Sequence, residues 1–149
     1  MRYIAAVALA LLAAPALAQS VVTRCVSPSG HSWYPRQPLV PAKSAGWQAD
    51  KISDGTYLLL RKDDGGFDII FTDATKRTIS SRDDGAQMVT LRDGGGTVVV
   101  LVNYPDMSVE TWHFRLNEAG RGDVTVSQAR YGERVMVTRH SLMRAECAR

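Results

Sequence analysis

The densest β-branched and aromatic run in the chain lies over 96–116, where Thr-Val-Val-Val-Leu-Val-Asn-Tyr and Ser-Val-Glu-Thr-Trp-His-Phe-Arg-Leu flank Pro105-Asp106-Met107. Pro105 fixes φ and Asp106 bonds locally, so the break reads as a turn and the whole stretch as a long β-hairpin. In its second limb Trp112, Phe114 and Leu116 alternate with Thr111, His113 and Arg115. Period-two alternation puts the first set on one face, and the aromatic face belongs in the core.

Short strands bounded by Asp-Gly turns fill the region before that hairpin. The pattern predicts strands over Thr56–Arg61, Phe67–Thr72, Arg77–Ser81 and Gln87–Arg92, separated by Lys62-Asp63-Asp64-Gly65-Gly66, Asp73–Lys76 and Arg82-Asp83-Asp84-Gly85. Glycine accepts the positive φ of such turns. Beyond the hairpin a strand is expected over Asp123–Tyr131, and Gly132-Glu133 has the form of a two-residue turn that would pair Tyr131 with Arg134. That register gathers Val124, Val126, Val135 and Val137 on one face, although pattern alone does not say which face is inner.

At the other end, Ser20–Ser27 alternates as a first strand and Pro28-Ser29-Gly30 ends it. Three prolines within His31–Pro41 remove ladder donors, so Pro35–Gly46 reads as an ordered, irregular crossing flanked by Trp33, Tyr34 and Trp47. The fold expected from these elements is all-β: a single antiparallel β-barrel or closed β-sandwich of about eight or nine short strands, mostly an up-and-down meander running from Thr56 to Leu142.

The N-terminus changes the picture of location. Arg2, an apolar run from Ile4 to Leu12, and small residues at Ala16 and Ala18 have the form of a cleaved signal peptide over 1–18, leaving 19–149 as a single all-β domain. The mature chain is expected in the periplasm or secreted, without a membrane span. Its cysteines, Cys25 and Cys147, are expected to pair, because the compartment is oxidising and their number is even. Such a bridge would join the first strand to a residue just beyond the last. A formal charge of +3 is too mild for a nucleic-acid footprint.

Candidate chemistry is sparse. No Gly-x-Ser-x-Gly elbow occurs, and His31, His113 and His140 are far apart without paired spacing. Asp63, Asp64, Asp68, Asp73, Asp83 and Asp84 are hard oxygen donors, yet none stands in the alternate spacing with a closing glutamate that calcium loops use. No metal and no cofactor are therefore expected. Glu110 alone among the acids lies inside a strand on the Trp112 face, where an arginine from a neighbouring strand is its expected partner.

The function expected is that of a non-catalytic periplasmic binding or inhibitor module for an unknown protein or small-molecule ligand of the envelope. The alternative is a hydrolase acting on envelope polysaccharide or peptide through Glu110. The ligand-binding residues expected are Trp33, Tyr34, Arg36 and Trp47, because prolines restrict their loop before binding while aromatic and arginine side chains offer large contact area.

Overall fold

A computed structural model describes residues 19–149, so the signal peptide expected over 1–18 lies outside the described residues. Ten strands form one antiparallel sheet: β1 (Ser20–Tyr34), β2 (Gly46–Lys51), β3 (Thr56–Arg61), β4 (Phe67–Thr72), β5 (Thr78–Ser80), β6 (Gln87–Gly94), β7 (Thr97–Tyr104), β8 (Ser108–Leu116), β9 (Gly122–Arg130) and β10 (Arg139–Ala148). Their order across the sheet is β5-β4-β3-β1-β10-β9-β8-β7-β6, with β2 paired to β1 alongside β3.

The central hairpin is β7 and β8, with Val98 opposite Phe114 and Val100 opposite Trp112. Asp106 takes φ 57° in its turn, a left-handed conformation that aspartate tolerates better than most residues. The aromatic face is the core face: Trp112 and Phe114 are buried among Leu59, Phe67, Ile69, Val100 and Val124. The acidic turns are held by their own carboxylates, as turn chemistry requires. Asp64 Oδ1 accepts the Gly66 N–H at 2.8 Å, and Asp73 Oδ1 accepts those of Thr75 at 2.8 Å and Arg77 at 3.1 Å.

The first strand is longer than its sequence suggests. β1 continues through Pro28 to Tyr34 because a bulge between Val26 and Ser29 absorbs the proline. Ser27 turns to φ 51°, and the missing Pro28 N–H falls where the ladder is already interrupted. Before the bulge β1 pairs with β3; after it, with β2; β10 accompanies it along the other side throughout. Gly30 is required here, since a Cβ would run into the Leu142 carbonyl. β2 is an addition to the expected strands. The prolines confine irregular backbone to residues 35–45, and Gly46, at φ 97°, opens the return strand along β1.

The C-terminal hairpin is also built differently. No two-residue turn forms at Gly132-Glu133; residues 131–138 make a loop, and Arg130 pairs with Arg139. Val135 and Val137 therefore do not join Val124 and Val126. Gly132, at φ 97°, serves another purpose: a Cβ there would strike the Asp106 carbonyl, and Tyr131 N–H donates to Met107 O at 3.0 Å. The glycine lets this loop lie against the turn of the central hairpin.

The meander expected from Thr56 to Leu142 divides in two. β3-β4-β5 lies at one side of the order and β6 through β10 at the other, because β1 sits between β3 and β10. Residues 81–86 carry the chain from one edge strand, β5, to the other, β6. No ladder joins these two edges among the described residues, so hydrogen bonding leaves a curled half-barrel. Across the opening, Arg61 of β3 pairs with Asp93 of β6 at 2.8 Å.

Cys25 and Cys147 form the disulfide, as direct register partners on β1 and β10. Cys147 lies within the last strand rather than after it. The bridge spans 122 residues. Loop closure of that length removes denatured-state entropy worth on the order of 4 to 5 kcal/mol, an upper figure.

Candidate functional site

The inner face of the half-barrel changes character along its length, and four strands change together. The register gives successive rows across β7, β8, β9 and β10. Val98, Phe114, Val124 and Ala145 make the first, and Val100, Trp112, Val126 and Met143 the second. The third is Val102, Glu110, Gln128 and Ser141, continuing into Ser32 of β1. The fourth is Tyr104, Ser108, Arg130 and Arg139. Two apolar rows are thus followed by two polar ones on the same inward face, because each strand keeps its period of two while its side chains change type.

Where the rows turn polar the curled sheet encloses a cup of about 430 Å³. Tyr57, Phe71, Met107 and Trp112 supply apolar surface, with Tyr57 set edge-on to Trp112 at 4.8 Å between ring centroids. Asp50, Glu110, Gln128, Arg130 and Arg139 supply the charged and amide groups.

These polar groups form a chain of contacts. Glu110 Oε2 accepts the Trp112 Nε1–H at 2.8 Å, and its Oε1 accepts Gln128 Nε2 at 2.6 Å. Gln128 Oε1 in turn accepts Arg139 Nη2 at 3.3 Å. Arg139 Nη1 lies 3.7 Å from Asp50 Oδ2, which also accepts the Ser32 hydroxyl at 2.7 Å; Ser32 and Ser141 share a hydrogen bond of 2.9 Å. The arginine partner expected for Glu110 is not what the structure provides: among the described residues Glu110 makes no ion pair. Gln128 occupies the position directly across from it, whereas Arg130 stands one row further along, opposite Ser108.

Burial raises the Glu110 carboxyl above the ordinary carboxylate range, against the opposing pull of the Gln128 and Trp112 hydrogen bonds and of Arg130 and Arg139. Burial also pushes the Tyr104 hydroxyl up to about 12, and raises that of Tyr57 with help from Glu110 and Asp50. Arg130 is moved the other way, downward, by burial and then by the like charge of Arg139. The Tyr104 hydroxyl faces the buried hydroxyl of Ser81, whereas Arg139 Nε, buried in the lining, has no hydrogen-bond partner among the described residues.

The four residues expected to bind ligand do not converge. Trp33 and Trp47 are cross-strand partners, 5.7 Å between ring centroids, on the convex face, where they are 40% and 62% exposed. They do not plug an end of the sheet. Tyr34 is half-buried and turned the other way, its hydroxyl accepting Arg139 Nη1 at 3.4 Å. Arg36 is exposed on the proline loop. That loop is fastened through Gln37, whose Nε2 donates to Thr138 O at 2.8 Å and whose Oε1 accepts the Thr138 N–H at 3.0 Å. The histidines are all exposed, with His113 on β8 and His140 on β10 separated by β9.

The cup itself was overlooked in the sequence. Its signal was present: Gln128 and Arg130 continue the alternation of Val124 and Val126, just as Ser108 and Glu110 precede that of Trp112 and Phe114. A core face that turns polar on adjacent strands marks an interior left open to something other than side chains. No family model matches the chain, and no curated protein or solved structure does.

Proposed function

We propose that the protein is a non-catalytic binding module of the periplasm or the extracellular medium, and that its ligand lies in the cup. The observation that carries this reading is a concavity of about 430 Å³ whose lining presents a buried arginine N–H without a partner. Buried polar groups are nearly always hydrogen-bonded, so unpaired ones facing a cavity have a ligand as their natural partner. The disulfide supports the location, since such bridges persist in oxidising compartments. In this reading the sheet acts as a barrel whose opening beside β6 is bridged by side chains, as by the Arg61–Asp93 pair between β3 and β6, rather than by a ladder.

Two other readings have an observation each. A hydrolase working through Glu110 draws on the presence of Asp50, a second carboxylate, in the same lining. Against it, both Glu110 oxygens already accept hydrogen bonds from neighbours that hold them in place. A protein partner met by the segment His31–Trp47 draws on the exposure of Trp33 and Trp47. A single rim substitution separates the cup from both. Ala74 is exposed and lines the mouth, so Ala74→Trp obstructs the cup with little cost to the fold. Mass spectrometry of small molecules retained from an envelope extract should show their loss in this variant at an unchanged melting temperature. Retention that persists in Ala74→Trp and disappears in Trp47→Ala places recognition on the convex face and removes the cup from consideration.

A further inference from the structure

Arg130 and Arg139 stand directly opposite each other on β9 and β10, and both line the cup. Like charges placed across a ladder repel, and a sheet ordinarily avoids the arrangement. Arg139 has a carboxylate neighbour, Asp50 at 3.7 Å, and hands one N–H to Gln128 and one to Tyr34. Arg130 makes no ion pair among the described residues. The carboxylate of the lining that acts on it, Glu110, is buried and already hydrogen-bonded at both oxygens to Trp112 and Gln128. Arg130 therefore has no bonded counter-charge, and it stands in the same row as the unpaired Arg139 Nε–H.

Resting on the cup reading, we infer that the ligand is an organic monocarboxylate with an apolar body, its carboxylate lying between Arg130 and Arg139 and its body against Tyr57, Phe71, Met107 and Trp112. A carboxylate between two guanidinium groups answers the repulsion that otherwise opposes the register, and guanidinium forks match carboxylate oxygens two at a time. One negative charge suffices. The remaining charges of the lining are balanced, Asp73 and Asp84 near the rim against Lys51 and Arg77, and Asp50 against Arg139, so a doubly charged phosphate would bring one negative charge more than Arg130 can balance. The apolar half of the lining selects against small hydrated anions, which gain nothing from an aromatic wall.

The test is titration calorimetry of the disulfide-bonded protein at low ionic strength. Three matched series are used: straight-chain and phenyl-substituted carboxylic acids, the corresponding primary alcohols, and the corresponding phosphate monoesters. At least one acid should bind about ten-fold or more tightly than its alcohol, the scale of one charge-assisted hydrogen-bonded contact. Arg130→Gln should bring that acid and its alcohol to similar affinity without weakening the alcohol. Should that variant fail to fold, Arg130→Met makes the same comparison, because it removes both the charge and the fork while keeping a long side chain. Equal binding of acid and alcohol by the wild type overturns the carboxylate assignment while leaving the cup as an apolar binding site. Tighter binding of a phosphate monoester overturns the single-charge argument. Binding by no member of any series removes both the assignment and the cup reading beneath it.

Discussion

Four strands run from one end of the inner face to the other, and what they enclose differs completely between the ends. At the Phe114 end both rows are apolar, and their side chains are buried together in the core. At the Glu110 end the same alternation delivers Gln128, Ser141, Arg130 and Arg139, and the interior is a cup. The backbone is equally regular at both ends, so sheet formation is indifferent to what its inward positions carry. Packing is not. One end gains stability from close contact, while the other spends inward positions on groups that must find hydrogen bonds or remain costly.

The largest effect that should separate the ends comes from Phe114→Ala. Its side chain is fully buried, and losing it should cost about 3–5 kcal/mol by denaturant unfolding. Glu110→Ala removes a smaller buried side chain, one that borders the cup rather than the packed core. The expected loss is about 1–3 kcal/mol, arising mainly from the Trp112 and Gln128 donors it leaves behind. Equal losses at the two positions would mean the cup is as tightly packed as the core.

The pH response is smaller and more specific. Because the folded-state pKa of Glu110 lies above its unfolded value, the folded protein holds that proton more strongly. The associated stability is fully present below the ordinary carboxylate range and is lost as pH rises through the raised value. Glu110→Gln should flatten that portion of the stability curve on the alkaline side of the carboxylate range. A wild-type curve that instead climbs there with Glu110 as the cause would contradict the burial argument. Smallest of all, Arg130→Gln should leave the unfolding free energy unchanged or raise it slightly, by about a few tenths of a kcal/mol, since it relieves like-charge repulsion across the ladder. A clear drop would show that Arg130 has a stabilising partner.

The parts of the fold that were legible in the sequence are those where local chemistry decides the outcome. β3 and β4 begin and end at the expected residues, because turn residues bound both, with Asp54-Gly55 before β3, Asp64-Gly65 between them and Asp73 after β4. The central hairpin and the disulfide follow from similarly local or arithmetical signals. What escaped depended on distant neighbours. Pro28 reads as a terminator until β3 and β2 are both seen to flank β1, which makes a bulge the better solution. Gly132 reads as a hairpin turn until the Asp106 carbonyl is found beside it. The division of the meander is set by β1 coming between β3 and β10, a pairing that no local pattern announces. The same limit applied to the site. Trp33 and Trp47 stood out by residue type, whereas Arg130 and Arg139 became a pair only once the loop 131–138 had set their register.

The position of β1 also bears on how the molecule comes to exist. This first strand is flanked by β10, the last, along nearly its whole length, and the Cys25–Cys147 bridge lies within that pairing. β3 and β2 offer it early partners on one side only. As the chain emerges, strands β6 to β9 can assemble in sequence, each beside its predecessor, while β1 waits with one edge bare. Contacts so far apart in sequence are slow to form, and a waiting edge is open to mispairing with other chains. The Cys25–Cys147 bond, which locks β1 to β10, can form only once β10 has been made.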